Sequence, residues 1–120
     1  MNKNTLPDLM AVVKIKYVAN PDFPGIYIWT IKGVGRYVGK YSSKRRPLSQ
    51  YARNVHRILN QEPYRKNNPN GFRHIHRALV DALKKGLPIE LIFFENVPLD
   101  TLRQREKELI AKMGELNRAR

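Results

Sequence analysis

The chain contains no cysteine, so it has no disulfide framework, no thiolate metal site and no cysteine nucleophile. It also has no apolar run of about 18 residues, the length that a membrane-spanning helix needs. Its N-terminus, MNKNTLPDLM, lacks the basic and then apolar layout of a signal peptide. These absences predict a soluble, cytoplasmic protein with no membrane partner.

Acidic residues are scarce as well. Ten Asp and Glu stand against 23 Lys and Arg among 120 residues, which gives a formal net charge of +13. Such a field attracts polyanions and speeds encounter with them, so a nucleic acid is the expected partner. A membrane surface, or a basic composition without a polyanionic partner, stays open on composition alone, because charge identifies a partner and not an activity.

The hydrophobic share of 42% is sufficient for one folded domain of this length. Residues 1–23 are expected to form an N-terminal lead or edge segment, residues 24–117 the main domain, and residues 118–120 a basic tail. Residues 25–31 and 36–41 are rich in β-branched and aromatic residues and are separated by glycines, which is typical of a hairpin.

A third strand is predicted at residues 88–94, and an additional edge strand at residues 11–18, where apolar residues partly alternate with lysine. Three helices are also predicted. The first opens at Pro47, the second stops at Gly86, and the third is capped by Asp100. The expected fold class is therefore α/β of the α+β type: a small, mainly antiparallel three-stranded sheet flanked by three helices, with the possible extra N-terminal edge strand.

Glu106 occupies an unusual place on the third predicted helix. It lies four residues after Leu102 and three before Leu109, within the apolar stripe, whereas Glu108 points to the other face. An ionised carboxylate held against a core costs free energy unless a cation or a metal ion compensates it. Two interpretations remain open on this feature alone: a rim glutamate paired with a basic side chain, or a metal ligand.

Two short motifs lie on the two strands of the predicted hairpin. They are Gly25-Ile26-Tyr27 and, after nine intervening residues, Tyr37-Val38-Gly39. Together with Glu106 on a late helix and a terminal Leu116-Asn117, they resemble the GIY-YIG nuclease family, with valine in place of the second isoleucine. The resemblance covers about residues 24–117, which would then be a nuclease domain.

The resemblance implies a metal-dependent endodeoxyribonuclease that hydrolyses DNA phosphodiester bonds. Glu106 would bind a divalent metal, most suitably Mg²⁺ with Mn²⁺ as the alternative. Tyr27 would activate the attacking water, and Tyr37 would hydrogen-bond the phosphate or share that role. A phenol titrates at about 10, so cationic neighbours are expected to lower the pKa of Tyr27. The candidates for these neighbours are Lys40, Arg45 and Arg46.

The family also places an arginine near the first helix, where a planar guanidinium stabilises the charge of the transition state. Arg46 is preferred for this role, and Arg53 is the second choice. His56 is a further candidate, for phosphate contact or proton transfer. His76 lies on the apolar stripe of its helix and is expected to be a hydrogen-bonded core histidine.

Other residues are expected to hold DNA or to brace the site. The basic side chains expected to contact the DNA backbone are Lys40, Arg45, Arg57, Arg65, Lys66 and Arg73. The residues expected to brace the site are Gly25, Gly39 and Asn117.

Two other functions remain open from the sequence. A basic module that binds DNA or RNA without cutting it explains the charge but gives no reason for Glu106 in an apolar stripe. A protein-binding domain would use tyrosines and arginines as interface anchors. For the nuclease, the expected partner is duplex DNA, with branched or nicked forms as alternatives, and the oligomeric state is open.

Overall fold

The computed structural model describes residues 8–118, which form one four-stranded sheet packed against helices. The strands are β1 Lys14–Tyr17, β2 Gly25–Ile31, β3 Gly35–Tyr41 and β4 Ile89–Asn96. The helices are α1 Leu9–Val12, α2 Tyr51–Leu59, α3 His74–Lys85, α4 Leu99–Met113 and α5 Glu115–Arg118, and a π-helical segment, Arg46–Gln50, leads into α2. The α+β class is confirmed, whereas the strand number is four and not three.

Parts of the predicted lead and tail, residues 1–7 and 119–120, lie outside the described residues. Within the described part of the chain, no helix has both the length and the apolar character required to cross a bilayer.

The strands are arranged in the order β1-β4-β2-β3. β2 pairs antiparallel with both β3 and β4, as expected for a mainly antiparallel sheet built on a hairpin. β1 is the extra edge strand, shorter than predicted, and it pairs parallel with β4. β3 therefore forms the opposite edge of the sheet, and this edge carries Tyr37 and Lys40.

Side chains from β2 serve two cores, one on each face of the sheet, because successive residues of a strand point in opposite directions. Tyr27 and Trp29 belong to the core that α2 and α3 cover, whereas Ile26 and Ile28 pack in the core beneath α4. This double burial explains why β2 is apolar almost throughout. It also separates the motif tyrosines from α4, because they lie on opposite faces of the sheet.

α3 ends at the predicted glycine, but α4 does not begin at the predicted cap. α3 ends at Gly86, which has the left-handed φ of 68°, and α4 ends at Gly114. Asp100 does not cap α4: the helix begins one residue earlier, and Pro98 occupies the N-cap position. Asp100 lies in the first turn, where its carboxylate is favourably placed against the positive end of the helix dipole.

Two motif glycines are required by close approach of other groups. Gly39 pairs with Tyr27 across the hairpin, and a Cβ atom at position 39 would overlap the far end of the Tyr27 ring. A Cβ atom at Gly25 would overlap the backbone carbonyl oxygen of Glu95 on β4. Gly39 therefore leaves room for the Tyr27 ring, and Gly25 leaves room for the neighbouring strand β4.

We expect Gly39→Ala to lower the free energy of unfolding by about 1–3 kcal/mol, because the new methyl group must displace a packed ring. Urea unfolding at constant pH measures this change. In a Tyr27→Leu background, which lacks the conflicting ring atoms, the same substitution should cost much less. An equal cost in both backgrounds would show that the Tyr27 ring is not the group that position 39 accommodates.

Candidate active site

Tyr27 and Tyr37 both lie on the sheet face that α2 and α3 cover. Tyr27 is 1% exposed, and its hydroxyl shares a 2.6 Å hydrogen bond with the hydroxyl of Tyr51 on α2. Tyr37 is partly exposed, and its hydroxyl accepts a 3.1 Å hydrogen bond from Nη1 of Arg73. The fold thus brings both motif tyrosines together with a third tyrosine and an arginine.

A polar cleft of about 210 Å³ opens beside these tyrosines. Its lining holds five arginines, two amides, one tyrosine and no carboxylate: Arg46, Gln50, Arg53, Asn54, Arg57, Tyr64, Arg65 and Arg73. We call it the arginine cleft. Arg46 and Arg73 connect it to the tyrosines, because Arg46 lies close enough to lower the pKa of Tyr27 and Arg73 donates to Tyr37. Guanidinium groups match phosphate geometry, so this lining suits a phosphate group.

The π-helical segment before α2 positions one wall of the arginine cleft. Pro47 is buried within it, while Arg46 and Gln50 on either side are exposed. The α-helix that follows turns Tyr51 and Val55 into the core. Short π-helical stretches occur frequently at functional sites.

The loop after α2 forms the opposite wall. Nη1 of Arg57 donates a 3.0 Å hydrogen bond to the carbonyl oxygen of Tyr64, which ties this loop to the helix. The Tyr64 ring meets Phe72 edge-on, with centroids 5.3 Å apart, and the Arg65 guanidinium lies 5.2 Å from the Tyr64 centroid. The loop between α2 and α3 therefore forms a wall of the arginine cleft and contributes Arg65 to it.

The pKa of Tyr27 is raised, whereas the sequence predicts that cationic neighbours lower it. Burial raises it to about 12, and the hydrogen bond with Tyr51 and the charge of Arg46 offset this only in part. Of the three predicted neighbours, only Arg46 acts on this hydroxyl. Lys40 pairs with Glu106 instead, and Arg45 is exposed outside the arginine cleft. The expectation that these cations together lower the pKa of Tyr27 is wrong, because burial outweighs the one nearby charge.

Glu106 lies on α4, on the other face of the sheet. Buried Leu102 and Leu109 flank it, and its side chain is 19% exposed, so its predicted place within an apolar stripe is confirmed. Its carboxylate lies 3.5 Å from Nζ of Lys40 on β3. Glu108 points away, as predicted, and pairs with Arg105. The cation that compensates Glu106 in this structure is therefore a lysine at the β3 edge.

Arg46 also links the two faces of the sheet. Besides the arginine cleft, it lines a second cleft of about 280 Å³ together with Lys40, Leu102 and Arg103. Arg46 therefore lies between the Tyr27 hydroxyl and the lysine that Glu106 contacts. Tyr27, Tyr37, Arg46 and Glu106 therefore lie near β3 but on both faces of the sheet, and not in one enclosed pocket.

A metal at Glu106 would have few protein ligands. Within residues 8–118, no group of three or more His, Asp or Glu side chains is arranged to hold a metal ion. Mg²⁺ commonly binds through one or two carboxylates, with water and phosphate oxygens completing its shell. A single glutamate would therefore suit only an ion whose other ligands are water and phosphate oxygens.

Asn117 braces the strand that carries Tyr37. Its Oδ1 accepts a 2.7 Å hydrogen bond from the Val38 N–H, and its Nδ2 donates a 2.8 Å hydrogen bond to the Val38 carbonyl oxygen. The Glu115 carboxylate accepts three further hydrogen bonds from Arg36, one from the backbone N–H and two from the guanidinium group. α5 therefore fastens the outer edge of β3.

The remaining predicted residues divide into two groups. Arg53, Arg57, Arg65 and Arg73 line the arginine cleft. His56, Arg45 and Lys66 are exposed and do not line it, and the His56 ring instead lies 2.8 Å from the side-chain amide of Asn60, one turn along α2. The structure therefore does not bring His56 to the motif tyrosines.

Sequence reasoning missed three residues of the site. Tyr51 lies on the buried face of α2. Because a buried tyrosine hydroxyl requires a hydrogen-bond partner, this residue could have indicated a contact such as the one with Tyr27. Gln50 and Asn54 line the arginine cleft. No spacing or motif distinguishes these two amides from the many other polar residues of the chain.

His76 is a hydrogen-bonded core histidine, as predicted. It is 1% exposed, its Nδ1 accepts a 3.1 Å hydrogen bond from the Arg73 N–H, and its ring packs between Tyr51 and Phe72. Burial lowers the pKa of His76 to about 4, and the positive charge of Arg73 acts in the same direction. The ring is therefore neutral near pH 7.

Comparison with protein-family models, with curated proteins and with solved structures finds no match for this chain. The resemblance to GIY-YIG nucleases consequently rests on the motif residues alone.

We expect the protein to lose stability as the pH falls from 6.5 to about 4. In this window an unfolded chain binds a proton at His76 but the folded chain does not, so protonation favours unfolding. The contribution of His76 to the free energy of unfolding should decline by up to about 3 kcal/mol, measured by urea unfolding across this range. His74→Gln, at an exposed neighbour, should leave the decline unchanged. An NMR titration of the His76 ring with its midpoint near pH 6.5 would contradict the assignment.

Proposed function

We propose that this protein is a metal-dependent endonuclease of the GIY-YIG type that hydrolyses DNA phosphodiester bonds. The observation that carries the proposal is the arginine cleft, in which five guanidinium groups and no carboxylate lie beside the motif tyrosines. Phosphodiester hydrolysis needs positive groups to stabilise charge on the phosphate and an oxygen-bearing group to orient the attacking water. This part of the molecule supplies both.

The DNA backbone would run along the edge of β3. On one side of this edge the arginine cleft would take the phosphate next to the scissile bond, and on the other side Glu106 would face it. Arg46 lines both clefts and lies near the Tyr27 hydroxyl, which supports its preference over Arg53 as the arginine that stabilises the transition state.

Tyr37, and not Tyr27, would contact the attacking water. Tyr37 is partly exposed and its hydroxyl meets the Arg73 guanidinium, whereas Tyr27 is buried and hydrogen-bonded to Tyr51. Tyr27 would then position Arg46 and Tyr51 from within the core. The family resemblance implied that Tyr27 activates the water, whereas this proposal gives that role to Tyr37.

Glu106 is the residue that would hold the divalent metal, Mg²⁺ or Mn²⁺. When bound, such an ion neutralises charge on phosphate oxygens and fixes their orientation. Lys40 would release Glu106 and turn its ammonium group towards the DNA backbone, which is close to the same strand edge. Glu106 is only partly buried, so this exchange requires no rearrangement of the core.

A non-catalytic DNA- or RNA-binding module is the second candidate. The observation in its favour is the ion pair between Glu106 and Lys40, which compensates the carboxylate without a metal. Incubation of supercoiled plasmid with Mg²⁺, with and without a chelator, separates the two. A nuclease converts the plasmid to nicked or linear forms only when the metal is present, whereas a binding module retards its migration and leaves it intact.

We expect Glu106→Gln to reduce the cleavage rate by about 100-fold or more, because it keeps the side-chain size and removes the anionic ligand. DNA affinity should be retained, since the loss of a negative charge does not weaken the hold on phosphate. Stability should change by less than about 1 kcal/mol, because Lys40 is half exposed to water.

Glu108→Gln is the matched control for this variant. It changes the same group on the opposite face of α4, where Glu108 is exposed and paired with Arg105, and should cleave at the wild-type rate. Wild-type cleavage by Glu106→Gln would identify Glu106 as a structural partner of Lys40 only.

We expect Arg46→Ala to depress the single-turnover cleavage rate at saturating DNA by about 100-fold, as for loss of a group that acts on the transition state. Arg53→Ala should chiefly raise the Kd for DNA and leave this rate within a fewfold of wild type. The opposite result would transfer the catalytic role to Arg53. Small and equal losses would exclude both arginines.

A further inference from the structure

His76 is fixed in one neutral form by its two neighbours. The backbone N–H of Arg73 donates to Nδ1 over 3.1 Å, and a backbone N–H can only donate. Nδ1 must therefore be without a proton, and a neutral ring then carries its proton on Nε2. The ring is buried and has arginine neighbours, both of which disfavour a charged imidazolium.

The structure places Nδ2 of Asn54 3.3 Å from Nε2 of His76, an arrangement that would make a neutral ring accept hydrogen bonds at both of its nitrogens. Because Nε2 is a donor in this tautomer, the amide must present its oxygen to the ring, and its NH2 group must lie on the side away from the histidine. A half-turn of the amide exchanges its oxygen and nitrogen positions without moving any other atom. Hydrogen bonding with His76 therefore determines the direction of both amide groups.

The amide position on the side away from His76, which the NH2 group occupies after this half-turn, has no hydrogen-bond partner among the described residues. Asn54 lines the arginine cleft, and its side chain is not among the buried polar groups without a partner, so the group is accessible to solvent there. We propose that Asn54 binds a DNA phosphate oxygen in the arginine cleft through this NH2 group, and that His76 is the positioning residue that fixes its direction. The inference rests on the proposed binding of DNA phosphate in that cleft.

A neutral donor differs in function from the arginines that surround it. Arginines attract the backbone of any nucleic acid from a distance, whereas an oriented amide contributes only when a phosphate oxygen reaches hydrogen-bond distance. Asn54 would thus fix the position of the phosphate after the arginines have attracted it.

The first experiment measures the tautomer directly in the wild-type protein, by long-range ¹H–¹⁵N correlation NMR of the histidine rings near pH 7. We expect the proton of His76 on Nε2. A proton on Nδ1 would overturn the proposed orientation of the amide. This measurement does not depend on DNA or on cleavage.

The second experiment measures the Kd for a short duplex by fluorescence anisotropy, in chelator so that no cleavage occurs. Asn54→Ala should raise the Kd about fivefold, as for loss of one hydrogen bond of ordinary strength in a solvent-accessible cleft. Asn54→Asp should raise it by more than about tenfold, because the carboxylate still accepts from His76 and repels phosphate at short range. Asn70→Asp makes the same charge change in a different groove, and should stay within about twofold of wild type because the loss is local.

Thermal unfolding of each variant verifies that it is folded. Equal Kd values for Asn54→Asp and Asn70→Asp would overturn the proposal, because the effect would then be one of net charge. Wild-type protein that binds the duplex but does not cut plasmid would reject the nuclease function and leave the amide site standing. Wild-type protein that does not bind the duplex would overturn both.

Discussion

The hydrogen bond between the Tyr27 and Tyr51 hydroxyls joins the sheet to α2 at a point that water does not reach. Both hydroxyls are buried, and an unpaired polar group in the core would cost free energy. The hydrogen bond between them removes this cost for both residues. The position of α2 relative to the hairpin depends on this contact. Because α2 and the segment before it carry Arg46, Arg53 and Arg57, the shape of the arginine cleft depends on it as well.

The acidic residues show how the protein keeps this cleft positive. Seven of the ten form ion pairs with lysine or arginine, and none of the ten lines the arginine cleft. The paired acids fasten β4 to α4, through Glu95 and Arg105, and β3 to α5, through Glu115 and Arg36. Negative charge is thus used to hold elements together, and the basic side chains of the described residues outside these ion pairs provide the positive field that attracts a polyanion.

Patterns among residues close together in the sequence predicted the hairpin, the end of α3 and the position of Glu106. The hairpin followed from β-branched and aromatic runs separated by glycine, and the end of α3 from Gly86, whose left-handed backbone few other residues adopt. Glu106 within an apolar stripe followed from helical periodicity. Each of these depends on residues close together in the chain.

Features that arise from long-range packing could not be predicted in this way. The raised pKa of Tyr27 results from burial beneath α2, and the partner of Glu106 results from the position of α4 across β3. The contact between Asn54 and His76 results from the packing of α3 against α2.

The fastening of β3 by α5 has a consequence for the behaviour of the protein in solution. An edge strand normally presents free N–H and C=O groups that can pair with a strand from another molecule, which leads to aggregation. Here the outward N–H groups of Arg36 and Val38 are already bonded to the side chains of Glu115 and Asn117. A chain cut before α5 would expose this ladder, so the last described turn protects the protein from edge-to-edge self-association.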